Sequence, residues 1–447
     1  MNTDFIMKKL VALTIVSLFG ITLTFAQQQK WTLEEAVQHA LENNISVKQS
    51  ELDLKATELD KSDAIGNLLP SLNGSASLSS NTGANVNPVT NTFSNSTFSS
   101  LTLGAQSSLT LFDGLRNIRQ LQRAKLSKVA AQYNLGKMKD DIALFVANAY
   151  LDVLFAKENL KIQKAQNQIT EEQLERTNEL VDAGVVARGE LLDIKSTNAT
   201  EKQQIIVAEN NIRIALISLA QTLLIKDYEN FDIADAEFEL PMSELLNEPV
   251  SSIIAKAKEE RFELKIAEQN LGIAQKDLQI SRGAYYPTLS AFAGYNTRWA
   301  DNDGFNRDFT TQLYQNDGTA FGLQLNVPIF NGLAARNNVK RSKINIERAQ
   351  LQKEQADLDL ESNVYQAYTD VQGALAAYDA AVVAEEAQQQ AFDFAQERFD
   401  VGFLNSFDFN QVKIRLENTQ SEKLRAKYDY IFKLKVLELY FGISLYD

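Results

Sequence analysis

The chain has 447 residues, 45% of them hydrophobic, enough for a sizeable core, and a formal net charge of −14 that sets it against nucleic acid and anionic headgroups. It has no cysteine and a single histidine, His39, which excludes disulfides, thiolate metal sites, thiol catalysis and a lipidated N-terminal cysteine; no carboxylate cluster replaces them, so no metal, cofactor or enzymatic activity is expected. Average usage would supply roughly 31 Gly and 22 Pro, and the 19 and 6 present predict long uninterrupted elements.

Lys8 and Lys9 precede an apolar run from Leu10 to Ala26, and small residues at Thr24 and Ala26 frame a cleavage site, so residues 1–26 read as a signal peptide with Gln27 as the mature start. The run is short of the ~20 residues a membrane span needs, and polar Gln27–Gln29 follow it. Met7 is an alternative start. No other segment resembles a spanning helix, so any membrane insertion must use strands.

The first repeat, 27–225, opens with a helix over 32–66, started by a Thr32/Glu35 capping box and ended before Pro70. Strands follow over 71–80 and 101–112, then a long helix over 115–182 and a helix over 190–225. Ile142, Phe145, Ala149, Val153, Ala156 and Leu160 mark a coiled-coil seam on the long helix, which at 1.5 Å per residue reaches roughly 100 Å. A linker over 226–248 is acidic, with Phe231, Ile233, Phe238 and Leu240 suggesting short strands. The second repeat, 249–447, has a helix, strands over 288–299 and 319–330, a long helix over 333–401 and a helix over 406–441. Its seam carries Tyr365, Tyr368, Val371, Leu375, Tyr378 and Val382. The chain is thus a duplication. Residues 39–72 align without a gap on 256–289, matching Gly66 and Pro70 to Gly283 and Pro287, and 112-FDGL-115 matches 330-FNGL-333. The period is too long for a solenoid repeat, so each half is expected to be a structural unit of its own.

The strands alternate. Leu101, Leu103, Ala105, Leu109 and Leu111 oppose Thr102, Gln106, Ser108 and Thr110; Phe321, Leu323, Leu325, Val327 and Ile329 oppose Gly322, Gln324 and Asn326. Phe292 is an exception on its strand. The runs have the length of tilted membrane strands, with Tyr295 and Trp299 placed for an interfacial girdle. Polar loops over 81–97 and 301–318 would face outside the cell; Asp301 and Asp303 with a misplaced Gly304 do not make a calcium loop. Four strands cannot close a barrel, and an open edge in lipid strands its backbone groups, so the chain must oligomerise. Two copies give eight strands and a filled lumen, three give twelve and an aqueous bore.

The opening 32-TLEEAVQHALENN-44, helix-ending Pro70 and Pro287, 112-FDGL-115, 328-PIFNGL-333 and the tip glycines Gly184 and Gly402 resemble the TolC family of outer-membrane efflux proteins across about 31–443. The resemblance implies a mainly α protein with a membrane β-barrel: a homotrimer whose twelve-strand barrel continues into a twelve-helix periplasmic α-barrel. It implies an outer-membrane location extending into the periplasm, outer-membrane lipid around the barrel, and a passive exit duct for a tripartite efflux or type I secretion system. The partners would be a periplasmic adaptor and an inner-membrane transporter. Gly184, Val185, Gly402 and Phe403 are the expected adaptor contacts.

In TolC-like proteins an acidic residue commonly lies six positions after the tip glycine, which points to Glu190 and Asp408, with Asp193 a turn further, as a pore gate. Where the better-known pattern has a tyrosine, an arginine and a second aspartate, this chain has Phe399, Leu404 and Gln411, so the gate would close on apolar packing. A competing reading leaves Glu190 and Asp408 merely stabilising helix N-termini. The alternative for the whole chain is a secreted coiled-coil structural protein without channel activity.

Overall fold

The computed structural model describes residues 30–86, 92–235, 244–301, 303 and 305–443. The expected signal peptide over 1–26, Gln27, Phe238, Leu240 and Gly304 lie outside the described residues. In chain order the elements are α1 (Leu33–Asn43), α2 (Ile45–Gly66), β1 (Ser71–Val86), β2 (Phe93–Phe112), α3 (Arg116–Asp182), α4 (Arg188–Thr222), a 3-10 turn (Glu244–Asn247), α5 (Val250–Glu260), α6 (Phe262–Gly283), β3 (Thr288–Ala300), α7 (Phe309–Gln315), β4 (Gly318–Asn326), α8 (Ala334–Asp400) and α9 (Ser406–Phe441). Among the described residues no helix is long and apolar enough to cross a membrane.

Two compact units emerge, and they cut across the repeats. The helical unit takes residues up to Lys48, Met138–Glu260 and all from Glu361; the sheet-bearing unit takes Gln49–Lys137 and Arg261–Leu360. A repeat is therefore not a structural unit of its own. The reason is physical: both hairpins join one sheet, and α3 of the first half bonds to α9 of the second through Gln163 to Glu417 at 2.7 Å and Tyr428 to Glu158 at 2.8 Å.

In the helical unit, Thr32 Oγ1 accepts from the Glu35 amide at 3.2 Å while the Glu35 carboxylate accepts from the Thr32 amide at 3.0 Å, so the box starts α1. The single helix expected over 32–66 is broken at Asn44, whose backbone is extended (φ −57, ψ 137). Its side-chain oxygen accepts from the Ser46 amide at 2.8 Å and restarts the chain as α2. Arg261, which the repeat alignment pairs with Asn44, makes the same extended break between α5 and α6. Val153 and Val371 are fully buried at the expected seams, while most of the other buried positions fall beside the expected ones. Leu360, Val364, Ala367, Val371, Ala374 and Ala381 are buried on α8, and Ala143, Val146, Ala147, Tyr150 and Leu154 on α3, while Tyr365 and Phe145 are exposed. Alanine at the seam permits close approach and pushes the rings to the shoulder.

Among the described residues the expected linker strands are represented by one isolated parallel bridge, Trp31 with Ile233. Around it the fully buried Tyr150 donates to the Trp31 and Ala234 carbonyls at 3.1 and 3.2 Å, and burial pushes its phenol up to about 12. Lys157 donates to the Ile233 carbonyl at 3.0 Å and pairs with Asp232 and Asp235.

The sheet-bearing unit holds four antiparallel strands in the order β1-β2-β3-β4. Opposed residues share a face, so the register Leu78 to Leu101 to Trp299, Ala76 to Leu103 to Thr297, and Leu109 to Ala291 to Leu323 lays one apolar face across all four strands. The other face carries Ser71, Ser79, Ser100, Gln106, Ser108, Asn296 and Gln324. Phe292 stands on this polar face because its ring lies over Gly322, where an added Cβ would come within 3.0 Å of it. β1 and β2 run past the expected boundaries at 80 and 101, pairing Asn81–Val86 with Phe93–Phe98. That stretch is largely polar, and its Val86, Phe93 and Phe98 are too widely spaced to give an alternating signal. β4 ends at Asn326, short of the expected 330, because Pro328 cannot donate to a ladder. The loop expected over 301–318 contains α7, capped by Asp308, and Asp303 pairs with Arg307 at 2.6 Å rather than standing ready for a cation.

The duplicated FDGL and FNGL motifs gain a structural reason. Gly114 and Leu115, and likewise Gly332 and Leu333, are consecutive left-handed residues that swing a strand into a long helix. A left-handed leucine costs about 1–2 kcal/mol. Asp113 offsets part of this by accepting from the Asn117 amide at 2.9 Å and capping α3.

Candidate functional site

The candidate gate and tips all lie in the helical unit. α3 and α8 end alike. The Gly184 amide donates to the Val181 carbonyl and the Val185 amide to the Leu180 carbonyl, both at 2.9 Å; Gly402 and Phe403 repeat the pair onto Phe399 and Arg398 at 3.0 and 2.8 Å. Both glycines are left-handed, φ 75 and 80, which is the Schellman ending of a helix. Past each glycine the chain turns outward an apolar side chain: Val185 is 70% exposed and Phe403 78%.

The helices that leave the tips begin differently. α4 has Ala187 at its N-cap with no side-chain bond, whereas the Asn405 side chain accepts from the Asp408 amide at 2.8 Å and donates back to the Asp408 carboxylate at 3.0 Å. Glu190 and Asp408 occupy the same third position of the first turn, where a carboxylate also favours the helix dipole. Glu190 accepts from the Ser406 hydroxyl at 3.0 Å, tying the start of α4 to the start of α9. Asp408 and Asp193 are exposed, and Asp193 lines a cleft of about 280 Å³ with Thr170, Ile194, Thr197 and Phe407.

Within one protomer the three acids do not form a cluster: among the described residues no group of three or more is placed to hold a metal ion. Phe399 and Leu404 pack inside the hairpin of α8 and α9. Phe399 stacks on the fully buried Phe409 with ring centroids 4.9 Å apart, and Phe392 meets the same ring at 5.4 Å. Gln411 is exposed. Between the two tips lies a cavity of about 250 Å³ lined by Arg176, Leu180, Glu190, Phe399, Phe403 and Leu404.

Two links were not anticipated from the sequence. Arg176 of α3 donates to both the side chain and the carbonyl of Asp400 at the end of α8. Deeper in, Lys413, 1% exposed, donates to Thr170 and pairs with Glu201 at 2.6 Å; the other Glu201 oxygen accepts from Asn167 at 3.1 Å, which also donates to Asn198 at 2.8 Å. Burial pushes the Lys413 ammonium below its ordinary value, and the Glu201 carboxylate draws it back up. The signal available was the register Phe409, Lys413, Leu416, which places a lysine in an apolar seam.

Comparison with known proteins follows from this geometry. The family model described as "Outer membrane efflux protein" matches residues 36–223 and again 253–442. The chain belongs to this family. The double match reproduces the two repeats, and the outer membrane is the family's location. Relatives include outer membrane protein TolC of Vibrio cholerae, 25% identical over 43% of this chain, and the pyoverdine export outer membrane protein OpmQ of Pseudomonas aeruginosa, 27% identical over 45%. The matches span 42% and 40% of those two proteins. The solved CmeC outer membrane channel of Campylobacter jejuni shares the fold with a TM-score of 0.80 at 20% identity, over 92% of this chain and 85% of that one. The family is one of efflux proteins and not of enzymes.

Proposed function

We propose that the chain is the subunit of a trimeric exit duct: three copies close a twelve-strand barrel, and a periplasmic adaptor and inner-membrane pump deliver cargo to the helical end. One observation carries this reading. β1 and β4 are open edges of an apolar-faced sheet, and the helices adjoining them in sequence bear exposed heptad stripes, Ile45, Leu52 and Leu59 on α2 and Ile344, Leu351, Leu358 and Tyr365 on α8. Unpaired edges cost several kcal/mol per backbone group in lipid, and a seven-residue apolar repeat is the seam of a coiled coil awaiting its partner. Edge and stripe at the two sides of one chain suit a head-to-tail ring.

The acids complete the reading. Glu190, Asp408 and Asp193, separate in one protomer, become a ring when three copies converge, and converging carboxylates in a narrow aqueous passage favour cations. Gly184, Val185, Gly402 and Phe403 are assigned to the adaptor. Native mass spectrometry in detergent is expected to count three subunits, and intact mass to place the mature start at Gln27; a stable monomer overturns the duct.

A further inference from the structure

The loop between β3 and β4 does not stand off the sheet. α7 lies on the apolar face: the Leu313 carbonyl accepts from Thr297 at 2.6 Å, Gln312 accepts from the Ala300 amide at 2.9 Å, and the rings of Phe309 and Trp299 are 5.8 Å apart. Thr297 and Trp299 belong to the apolar face by register, opposite Leu103 and Leu101. They also mark its upper limit. On β2 the face is apolar from Leu111 to Leu101 except at Ser107, and for strands tilted ~45° that run spans roughly 23 Å of membrane normal, close to the apolar band of about 25 Å on barrels of this kind. Beyond Leu101 come Ser99 and Thr97.

α7 therefore covers the sheet where the hydrocarbon layer ends, and among the residues it turns outward, beside Thr310 and Gln315, are large aromatics. Tyr314 is 79% exposed, Phe305 72% and Phe309 48%, continuing the exposed Tyr295 and Phe321 below. Part of the loop's polar complement is turned inward upon itself, while Asn306, Asp308, Thr310, Gln315 and Asp317 stay exposed. Arg307 pairs with Asp303 at 2.6 Å and donates to Gln315 at 2.8 Å; Gln312, 2% exposed, donates to the Arg307 carbonyl at 2.9 Å; Asn316 donates to the Arg298 carbonyl at 2.9 Å. A loop bound for bulk water has no need to satisfy itself in this way, whereas one entering an interface must.

Resting on the membrane reading of the apolar face, we infer that α7 with Phe305, Phe309 and Tyr314 is an interfacial anchor lying in the headgroup layer of the outer leaflet, so that the second hairpin grips the membrane surface from outside the barrel wall. Its occupant is the headgroup and upper acyl region of the bilayer. The aromatic tips offer the mixed apolar and polar contact that this layer favours.

The absence of cysteine makes the test direct. Single variants Tyr314→Cys, Phe321→Cys and Gln324→Cys carry an environment-sensitive fluorophore in phosphatidylcholine vesicles, each checked for the parent's assembly. Quenchers are a lipid with a headgroup-level nitroxide, a lipid with a mid-chain nitroxide and aqueous iodide. Phe321→Cys, on the lipid face, is expected to lose fluorescence to the chain nitroxide, and Gln324→Cys, on the polar face, to iodide. Tyr314→Cys is expected to lose fluorescence to the headgroup nitroxide and to be spared by iodide. Iodide quenching of Tyr314→Cys without nitroxide quenching, while Phe321→Cys behaves as a lipid position, overturns the anchor alone. Iodide quenching at both overturns the barrel reading and the anchor with it.

Discussion

Replacing Glu201 with alanine removes the carboxylate that pairs with Lys413 at 2.6 Å and leaves only a weaker attraction from Glu417 among the described carboxylates. Lys413 is 1% exposed and its remaining described hydrogen-bond partner is the Thr170 hydroxyl, so the variant leaves an ammonium buried among Phe409, Leu416 and neighbouring helices. Breaking a buried pair from one side costs about 3–5 kcal/mol, because the orphaned charge keeps its desolvation penalty. For a folded body of this size, about 2–4 °C per kcal/mol converts that into a fall in melting temperature of roughly 6–20 °C. Helix melting by far-ultraviolet circular dichroism of the detergent-solubilised protein reads it. The double variant Glu201→Leu, Lys413→Met removes both charges and is expected to recover most of the loss, since apolar replacements of buried pairs are often neutral. If the single and double variants fall equally, the pair acts through volume and not through charge. If Glu201→Ala melts with the parent, the network is solvated and the account of it is wrong.

Equivalent glycines should respond unequally. Gly114 and Gly332 are both left-handed, but a Cβ on Gly114 would lie 2.5 Å from the Gly283 carbonyl oxygen while one on Gly332 meets nothing within 4 Å. Gly332→Ala is expected to lose only the ~1–2 kcal/mol of the backbone conformation and Gly114→Ala about 1–3 kcal/mol more, read as melting temperature and assembled yield. Glu190→Gln with Asp408→Asn is expected to weaken cation selectivity and polyvalent-cation block in planar bilayers; unchanged selectivity in assembled trimers leaves the two acids as helix caps. Phe403→Ser should reduce adaptor crosslinking and efflux with trimer yield kept, and unchanged crosslinking counts against tip docking. Hydrogen bonds from Lys30 and Lys157 hold the Asp235 carboxyl at about 2 against an ordinary 3.8. A depressed acid contributes stability above its ordinary value and loses it as pH falls through the folded one. Trp31 emission, isolated by Trp299→Phe, is therefore expected to change as pH falls from about 4 to about 2, and Asp235→Asn, which has no carboxyl to titrate there, to abolish that change.

The inner parts of the strands were legible because Leu101, Leu103 and Leu109 alternate with polar neighbours; the outer parts were not, because Asn81–Val86 and Phe93–Thr97 obey the ladder without any apolar period. α7 was hidden for a related reason, since a seven-residue helix in a polar loop leaves no periodic face to read. The break at Asn44 escaped because an asparagine inside a helical pattern is tolerated until its side chain finds the Ser46 amide. At the site, the left-handed glycines were readable from helix-ending chemistry alone. Lys413 was not: on a helix otherwise rich in charge it reads as solvated, and its partners Glu201 and Thr170 belong to helices far away in the sequence. Phe399 and Leu404 were identified by position, and only the packing on Phe409 gives them a role within the protomer.

The interleaving of the repeats bears on how the protein is made. The helical unit draws on residues up to Lys48, from Met138 to Glu260 and from Glu361 onward, so it cannot close until the last helix is made, and the sheet-bearing unit cannot close before the segment ending at Leu360. A nascent first half has no β3 for β2 to pair with, and no α9 to cover the seams of α3 and α4. Contacts this distant in sequence close slowly, and the apolar stripes remain open to misassociation meanwhile. Duplication gave the protein its symmetry at the expense of vectorial folding.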